Sequence, residues 1–325
     1  MRLEYSVVVP VYHAEATLHE LLSRLQKVFQ SLNALHEFIF VDDGSQDRSW
    51  AVLEELATTN RYVTIIQLMR NFGQHHALLC GLKHAKGNWV ITLDDDLQNP
   101  PEEIPKLVHA AMQNALDLVI GIPEEHKKQE LYRNLGSRIL SYSLTHVFSL
   151  SHHLQISSFR LLSRKAVDEI IRMTTSNPAI DAMLFSILDR RRVQNVYLEH
   201  HPRKKGQSGY TLAKLIQLAY NNVLNYSTLP LKAMSIVGMF CSLLSVLLIV
   251  IVVIRYFAFG IPVMGWASLI TVVSFFSGCI LFSLGIIGEY LVRIIREVNA
   301  TPAYVIRTKR SSEYSTESSA SSSHE

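Results

Sequence analysis

Short apolar runs alternate with amphipathic stretches along the first two hundred residues. Residues 6–11, 37–41, 63–68, 89–93 and 116–120 are dense in Val, Ile, Leu and Phe, the signature of strands covered on both faces. Residues 16–31, 48–58, 74–84 and 104–114 place apolar side chains at helical spacing among good helix formers. Pro100 and Pro101 precede Glu102 and Glu103, which marks a helix start with proline in the first turn and acids facing the helix dipole. Strand and helix alternating at this interval predict an α/β domain built on a mostly parallel sheet. Ligands of such sheets gather beyond the carboxyl ends of the strands.

The pattern changes after residue 232. From Ala233 to Gly288 the only charged residue is Arg255. Two uncharged stretches, 233–254 and 266–288, each exceed the roughly 20 residues that cross a bilayer as a helix. They predict a two-helix transmembrane hairpin, joined by a short segment with Tyr256, Phe257, Gly260 and Pro262. Lys232 precedes it and Arg293, Arg296, Arg307, Lys309 and Arg310 follow, so the positive-inside rule places both termini in the cytosol. No basic-then-apolar leader precedes the first strand, and the catalytic region is expected on the cytosolic side. Residues 211–228 read as an amphipathic juxtamembrane helix, with a core helix as the alternative. The predicted organisation is a catalytic domain over 1–210, a juxtamembrane helix over 211–232, the hairpin over 233–289, and a tail over 290–325 that is Ser-rich and disordered from about 311.

Charge adds exclusions. Thirty-one Lys and Arg against 28 Asp and Glu leave a formal net charge of +3, too balanced for a nucleic-acid binder. Cys80, Cys241 and Cys279 are scattered and suit a reducing compartment without a disulfide framework or zinc site. Neither a phosphate-binding Gly-x-x-x-x-Gly-Lys-Ser/Thr loop nor a Gly-x-Gly-x-x-Gly turn is present.

Two acidic turns carry the candidate chemistry. Leu93-Asp94-Asp95-Asp96-Leu97-Gln98-Asn99-Pro100-Pro101 ends one strand run, and Val41-Asp42-Asp43-Gly44-Ser45 ends another. Three consecutive acids repel one another unless a cation neutralises them. On an extended chain Asp94, Asp96 and Gln98 would share one side while Asp95 points away, and such hard oxygens suit Mg²⁺ or Mn²⁺. A solvated acidic turn capping the next helix is the alternative. The pairs His75-His76, His152-His153 and His200-His201 suit hydrogen bonding better than zinc, because adjacent side chains diverge.

With Val8-Val9-Pro10-Val11-Tyr12, Glu15, Arg70-Asn71-Phe72-Gly73-Gln74-His75, Ser158-Phe159-Arg160-Leu161-Leu162 and His201-Pro202-Arg203-Lys204-Lys205, the ordered set resembles inverting glycosyltransferase family 2, in its polyprenyl-phosphate branch. The resemblance extends over roughly residues 5–305. It implies a Rossmann-like GT-A domain that passes one sugar from a nucleotide sugar, with UDP favoured over GDP, to a polyprenyl phosphate at the cytosolic face of the inner membrane. It further implies a metal, Mg²⁺ or Mn²⁺, on Asp94, Asp96 and Gln98, and nucleotide-sugar contacts from Pro10, Tyr12, Glu15, Asp42, Asp43, Arg70 and Asp95. Arg133, Ser137, Arg160 and Arg203 would hold the lipid phosphate, with Asp94, Asp96, Arg133 and Arg203 closest to the reaction. Nucleotide sugar, lipid and bilayer are then the partners, and relatives are often homo-oligomers. Ser158 stands where several relatives carry an acid, and Lys127 and Lys128 would replace an arginine that many relatives have after Gly121. The competing classes are a processive polysaccharide synthase, which usually carries a Gln-x-x-Arg-Trp element absent here, and a membrane-tethered nucleotide-sugar sensor without turnover.

Overall fold

The computed structural model describes residues 3–124, 154–199, 265–298 and 302–311, with isolated positions between 236 and 258. The chain divides into two units: residues 1–135 with 150–209 and 301–325, and residues 136–149 with 210–300. Predicted features at residues 125–153, 200–235 and beyond 311 lie outside the described residues. These include Lys127, Lys128, Arg133, Ser137, Arg203, the juxtamembrane helix and the Ser-rich tail.

The first unit is an eight-stranded sheet ordered β7-β5-β6-β4-β1-β2-β3-β8. Its strands are β1 Tyr5–Val11, β2 His36–Asp42, β3 Val63–Leu68, β4 Trp89–Thr92, β5 Leu118–Pro123, β6 Arg160–Ser163, β7 Val193–Leu198 and β8 Ile306–Ser311. Helices α1 Leu18–Leu32, α2 Ser49–Thr59, α3 Gln74–His84 and α4 Ile104–Asn114 follow the first four strands in turn. They lie within a few residues of the predicted ranges. Helices α5 Arg164–Arg172 and α6 Ile180–Ile187 come after β6.

Alternation along the strands explains the near-continuous apolar runs. Val7, Val9 and Val11 of β1 join Phe38, Phe40, Ile65 and Ile91 in one core, under α1, α2 and α4. Val8 joins Ile39, Val41, Ile66 and Val90 in the other, under α3, α5 and α6. Both faces of the sheet are thus dry, the condition that permits parallel strands. β1 pairs in parallel with β2 and β4, and β2 with β3. Their carboxyl ends therefore meet at one edge.

Two strands run against the rest. β6 pairs antiparallel with both β4 and β5, which carries Arg160 to the same edge beside Thr92. β8 pairs antiparallel with β3. The sequence reading assigned residues 306–311 to the tail; they form an edge strand instead. Its alternation is brief and masked by Arg307, Lys309 and Arg310, charges of the kind that also guard an exposed edge against further pairing. The strand is anchored by the Met69 amide donating to the Val305 carbonyl at 2.9 Å and by an ion pair from Arg310 to Glu54 at 2.9 Å.

The second unit contributes α7, Trp266–Val298, within which residues 275–292 average a hydropathy of 1.8. At about 1.5 Å per residue it spans close to 50 Å, more than the hydrocarbon core requires. It alone among the described residues is long and apolar enough to cross a membrane. The positions described between 236 and 258 are helical and exposed.

If β8 is part of the domain, a chain ending at Ala303 should lose it and expose the β3 edge. Its melting temperature, followed by near-UV circular dichroism, is expected to fall by about 5 °C or more. An unchanged transition would mean that β8 contributes nothing to the sheet.

Candidate active site

The carboxyl ends of β1, β2, β3 and β4 deliver the two acidic turns to one edge. At the end of β2, Asp42 is fully buried and accepts from the Ser45 amide at 3.1 Å and the Gln67 side chain at 3.2 Å. Asp43 accepts from the amides of Phe72 and Gly73, both at 2.8 Å. Burial pushes its carboxyl above the ordinary range, against the pull of those two amides. The loop after β3 is thereby tied to the end of β2. Gly44 makes the approach feasible: its φ is +70°, and a Cβ there would lie 2.6 Å from the Arg70 carbonyl carbon. Arg70 is exposed and stacks its guanidinium over the Phe72 ring at 4.5 Å.

Beyond β4 the chain does not stay extended. It turns at Asp95 and Asp96, and Leu97 takes φ 61°, so the predicted alternation of sides stops at Asp94. The turn keeps Asp96 close enough to raise the proton affinity of Asp94, and both of them close enough to raise that of Asp95. Asp94 accepts from the Ser158 hydroxyl and from the Gln74 side chain, the latter at 2.6 Å. Burial is the largest influence on Asp94 and pushes its carboxyl up; Asp96 adds to the rise, while Ser158, Arg160 and Gln74 oppose it. Asp95 turns toward β1 and accepts from the Tyr12 amide at 3.0 Å. Burial first, then Asp94 and Asp96, push its carboxyl up to about 7. Asp96 accepts from the Gln98 amide at 3.1 Å.

The remaining predicted nucleotide contacts surround these turns. Pro10 lies in β1 opposite Val41. Tyr12, 48% exposed, packs edge-on against His13, leaving an open ring at the mouth of the site. Glu15 accepts from the Arg48 amide at 2.9 Å and so tethers the loop after β1 to the start of α2.

Arg160, which the resemblance expects on the lipid phosphate, lies within the sheet. It is 2% exposed, its Nη1 lies 2.5 Å from Asp181 of α6, and its Nε has no partner among the described residues. Register explains the burial: as the first residue of β6 it sits beside Thr92 inside the sheet. The exposed trio Arg190, Arg191 and Arg192 precedes β7, whose first residue pairs with Leu118 at the start of β5. That is the end of the sheet remote from Asp94, where Arg192 pairs with Asp117 at 3.0 Å.

Gln74, Ser158 as an Asp94 donor, and Asp181 escaped the sequence reading as site residues. Gln74 stands within the quoted Arg70–His75 stretch and was open to recognition. Asp181, two helices removed, left no local signal.

The raised Asp95 carboxyl has a consequence for stability. Between its unfolded value near 3.8 and about 7, the folded chain keeps a proton that the unfolded chain releases. Without divalent metal, stability therefore falls as pH rises through that window and levels off above it; Asp94 shifts in the same direction. In EDTA, Asp95→Asn should raise the melting temperature at pH 8, with the gain shrinking toward pH 4.5. An equal gain at both pH values would contradict the shifted carboxyl.

Comparison with known proteins agrees with this geometry. Residues 6–171 match the model of Glycosyl transferase family 2. An undecaprenyl-phosphate 4-deoxy-4-formamido-L-arabinose transferase of Edwardsiella ictaluri is 36% identical over 312 residues, covering 93% of both chains. The protein of the same description from Proteus mirabilis is 35% identical over 308 residues, covering 93% of this chain and 92% of its own. An uncharacterized glycosyltransferase of Bacillus subtilis is 31% identical over 94% of both. Among solved structures, glucosyl-3-phosphoglycerate synthase from Mycobacterium tuberculosis, in complex with Mn²⁺ and UDP-glucose, superposes with a TM-score of 0.51 at 19% identity. The match covers 68% of this chain and 77% of that one, and establishes a shared GT-A-like fold. With the family model matching half the sequence and the relatives matching nearly all of it, the chain belongs to glycosyltransferase family 2.

Proposed function

We propose that this enzyme transfers a single sugar, with inversion, from a UDP-sugar to undecaprenyl phosphate at the cytosolic face of the inner membrane. The observation that carries the reading is the tie of Asp94 to the start of α3 and to the loop before β6, and of Asp95 to the end of β1, at the edge where Asp42 and Asp43 also lie. Similarity along nearly the whole length to undecaprenyl-phosphate transferases supports the lipid acceptor.

The donor set fits a divalent cation. Half-buried carboxylates whose neighbours raise the proton affinity of Asp94 and Asp95 are relieved by positive charge. Among the described residues no three His, Cys, Asp or Glu side chains form a complete metal cage. Asp94 and Asp96 with the Gln98 amide oxygen would hold Mg²⁺ or Mn²⁺ incompletely, and oxygens of the donor diphosphate would complete the shell, the usual arrangement for Mg²⁺. The ion would supply charge neutralisation for the departing nucleoside diphosphate.

The protein's own residues do the positioning. Asp43 fixes the loop after β3, and with it Arg70, next to the base and ribose. Tyr12 offers its exposed ring to the base. Asp95 holds the Tyr12 amide, so the floor of the nucleotide site and the acidic turn move as one body. The acceptor phosphate monoester has a second pKa of about 6 and arrives largely dianionic. One of its oxygens forms the new bond to the anomeric carbon as the bond to the diphosphate breaks, and both electrons of that bond leave with the diphosphate. No strong base is needed, so Ser158 can serve as an Asp94 donor where several relatives carry an acid. Cations must bring the two polyanions together, the task assigned to Arg133 and Arg203. The apolar α7 supports membrane attachment, as the second helix of the expected hairpin.

The test is a transfer assay in detergent with undecaprenyl phosphate, Mg²⁺ or Mn²⁺, and a panel of labelled UDP- and GDP-sugars. Label should enter the lipid phase from a UDP-sugar with the wild type and metal. Asp96→Ala should lower the rate at least about 100-fold. No transfer from any donor, with nucleotide still bound, would overturn the reading.

A further inference from the structure

Arg160 presents a physical puzzle. A guanidinium cannot lose its charge, and burying that charge is costly unless it is paired. Arg160 is 2% exposed beside the most acidic turn of the molecule, yet its recorded ion pair is with Asp181, a residue outside that turn.

Its position follows from strand register. Thr92, the last residue of β4, pairs with Arg160, the first of β6. Two residues beyond Thr92 stands Asp94, and two before Arg160 stands Ser158. The Thr92 hydroxyl donates to the Ser158 carbonyl at 2.5 Å, and the Ser158 hydroxyl donates to Asp94. The antiparallel junction that supports Asp94 therefore also brings a permanent cation close to it, near enough to pull its proton affinity down. Even so, the donors to Asp94 among the described residues are neutral: a hydroxyl and an amide. The fork of Arg160 faces Asp181 at 2.5 Å in the first turn of α6.

Neutral donors orient a carboxylate without cancelling its charge, whereas a guanidinium bound to both oxygens would occupy them and repel a divalent cation. We propose that Asp181 is a positioning residue: it holds the Arg160 guanidinium away from Asp94, so that the Asp94 carboxylate stays open to the divalent cation. The inference rests on the reading of Asp94 and Asp96 as metal ligands. It reassigns Arg160 from the acceptor phosphate to the support of the acidic turn.

The full-length protein in detergent, with UDP, is titrated with Mn²⁺ and the thermal upshift recorded, alongside KM for undecaprenyl phosphate. In Asp181→Asn the released arginine should turn toward Asp94, raising the Mn²⁺ midpoint about 10-fold with the lipid KM changed less than about twofold. In an Arg160→Gln background the same Asp181→Asn change should add nothing, because no charge remains to hold back. Arg160→Gln alone should leave the Mn²⁺ midpoint within about twofold of wild type, which keeps the test decisive if Asp181→Asn does not fold. An unchanged midpoint in Asp181→Asn, an effect that persists in the Arg160→Gln background, or a 10-fold weaker midpoint in Arg160→Gln alone would each overturn the proposal. Asp96→Ala separates the two levels. If it abolishes the Mn²⁺ response while Asp181→Asn leaves it intact, only the positioning role fails. If it leaves the response intact, the metal reading fails and the positioning role with it.

Discussion

Three carboxylates side by side at the end of a buried strand repel one another and lose hydration, and much of the surrounding architecture answers that cost. Asp94, Asp95 and Asp96 are distributed by a turn so that each leans on a different element. Asp94 takes donors from the start of α3 and from the loop before β6. Asp95 takes the amide at the end of β1, and Asp96 closes on its own turn through Gln98. What remains uncompensated appears as raised proton affinity at Asp94 and Asp95. That residual is the electrostatic appetite a divalent cation and a diphosphate would satisfy together.

The sheet makes this placement rigid. Two dry cores, one on each face, hold β1 through β4 in parallel register, and the strand ends converge without needing loops to reach. β6 is the exception that completes the site. Running antiparallel between β4 and β5, it presents Ser158 and Arg160 at the same edge, one as a neutral donor and the other as a buried charge with its own partner. β8 closes the opposite side against β3, whose following loop carries Arg70 and the two amides that bind Asp43. A segment that follows the apolar helix in sequence thus belongs structurally to the strand that feeds the nucleotide side of the site.

The membership in glycosyltransferase family 2 fits a division of labour along the chain. On the proposed reading, strand ends would hold the nucleotide beside the acidic turn, while residues further along the chain would meet the acceptor. An acceptor that arrives already charged removes the demand for a strong base and shifts the burden to cations and their control. Control matters because a buried arginine and an open carboxylate are natural partners, and a site that needs that carboxylate for another cation must keep them apart.

The first four strand–helix pairs were legible because burial on both faces and amphipathic spacing are local properties, written into consecutive residues. The acidic turns were legible for the same reason: like charges at the end of an apolar run are conspicuous wherever they fall. Other features depended on pairing across long stretches of chain. β8 hides within a basic segment because an edge strand needs an apolar surface on only one side. Nothing local in Ser158-Phe159-Arg160 shows that register with Thr92 places the arginine inside the sheet. Asp181 carried no signal at all, since its meaning comes from an arginine 21 residues earlier that only the packing of α6 brings within 2.5 Å. Local sequence determined which elements form and which residues carry charge. Tertiary structure decided which charges face one another, because side-chain partners are chosen by strand register and helix packing, and neither is encoded within any single stretch of chain.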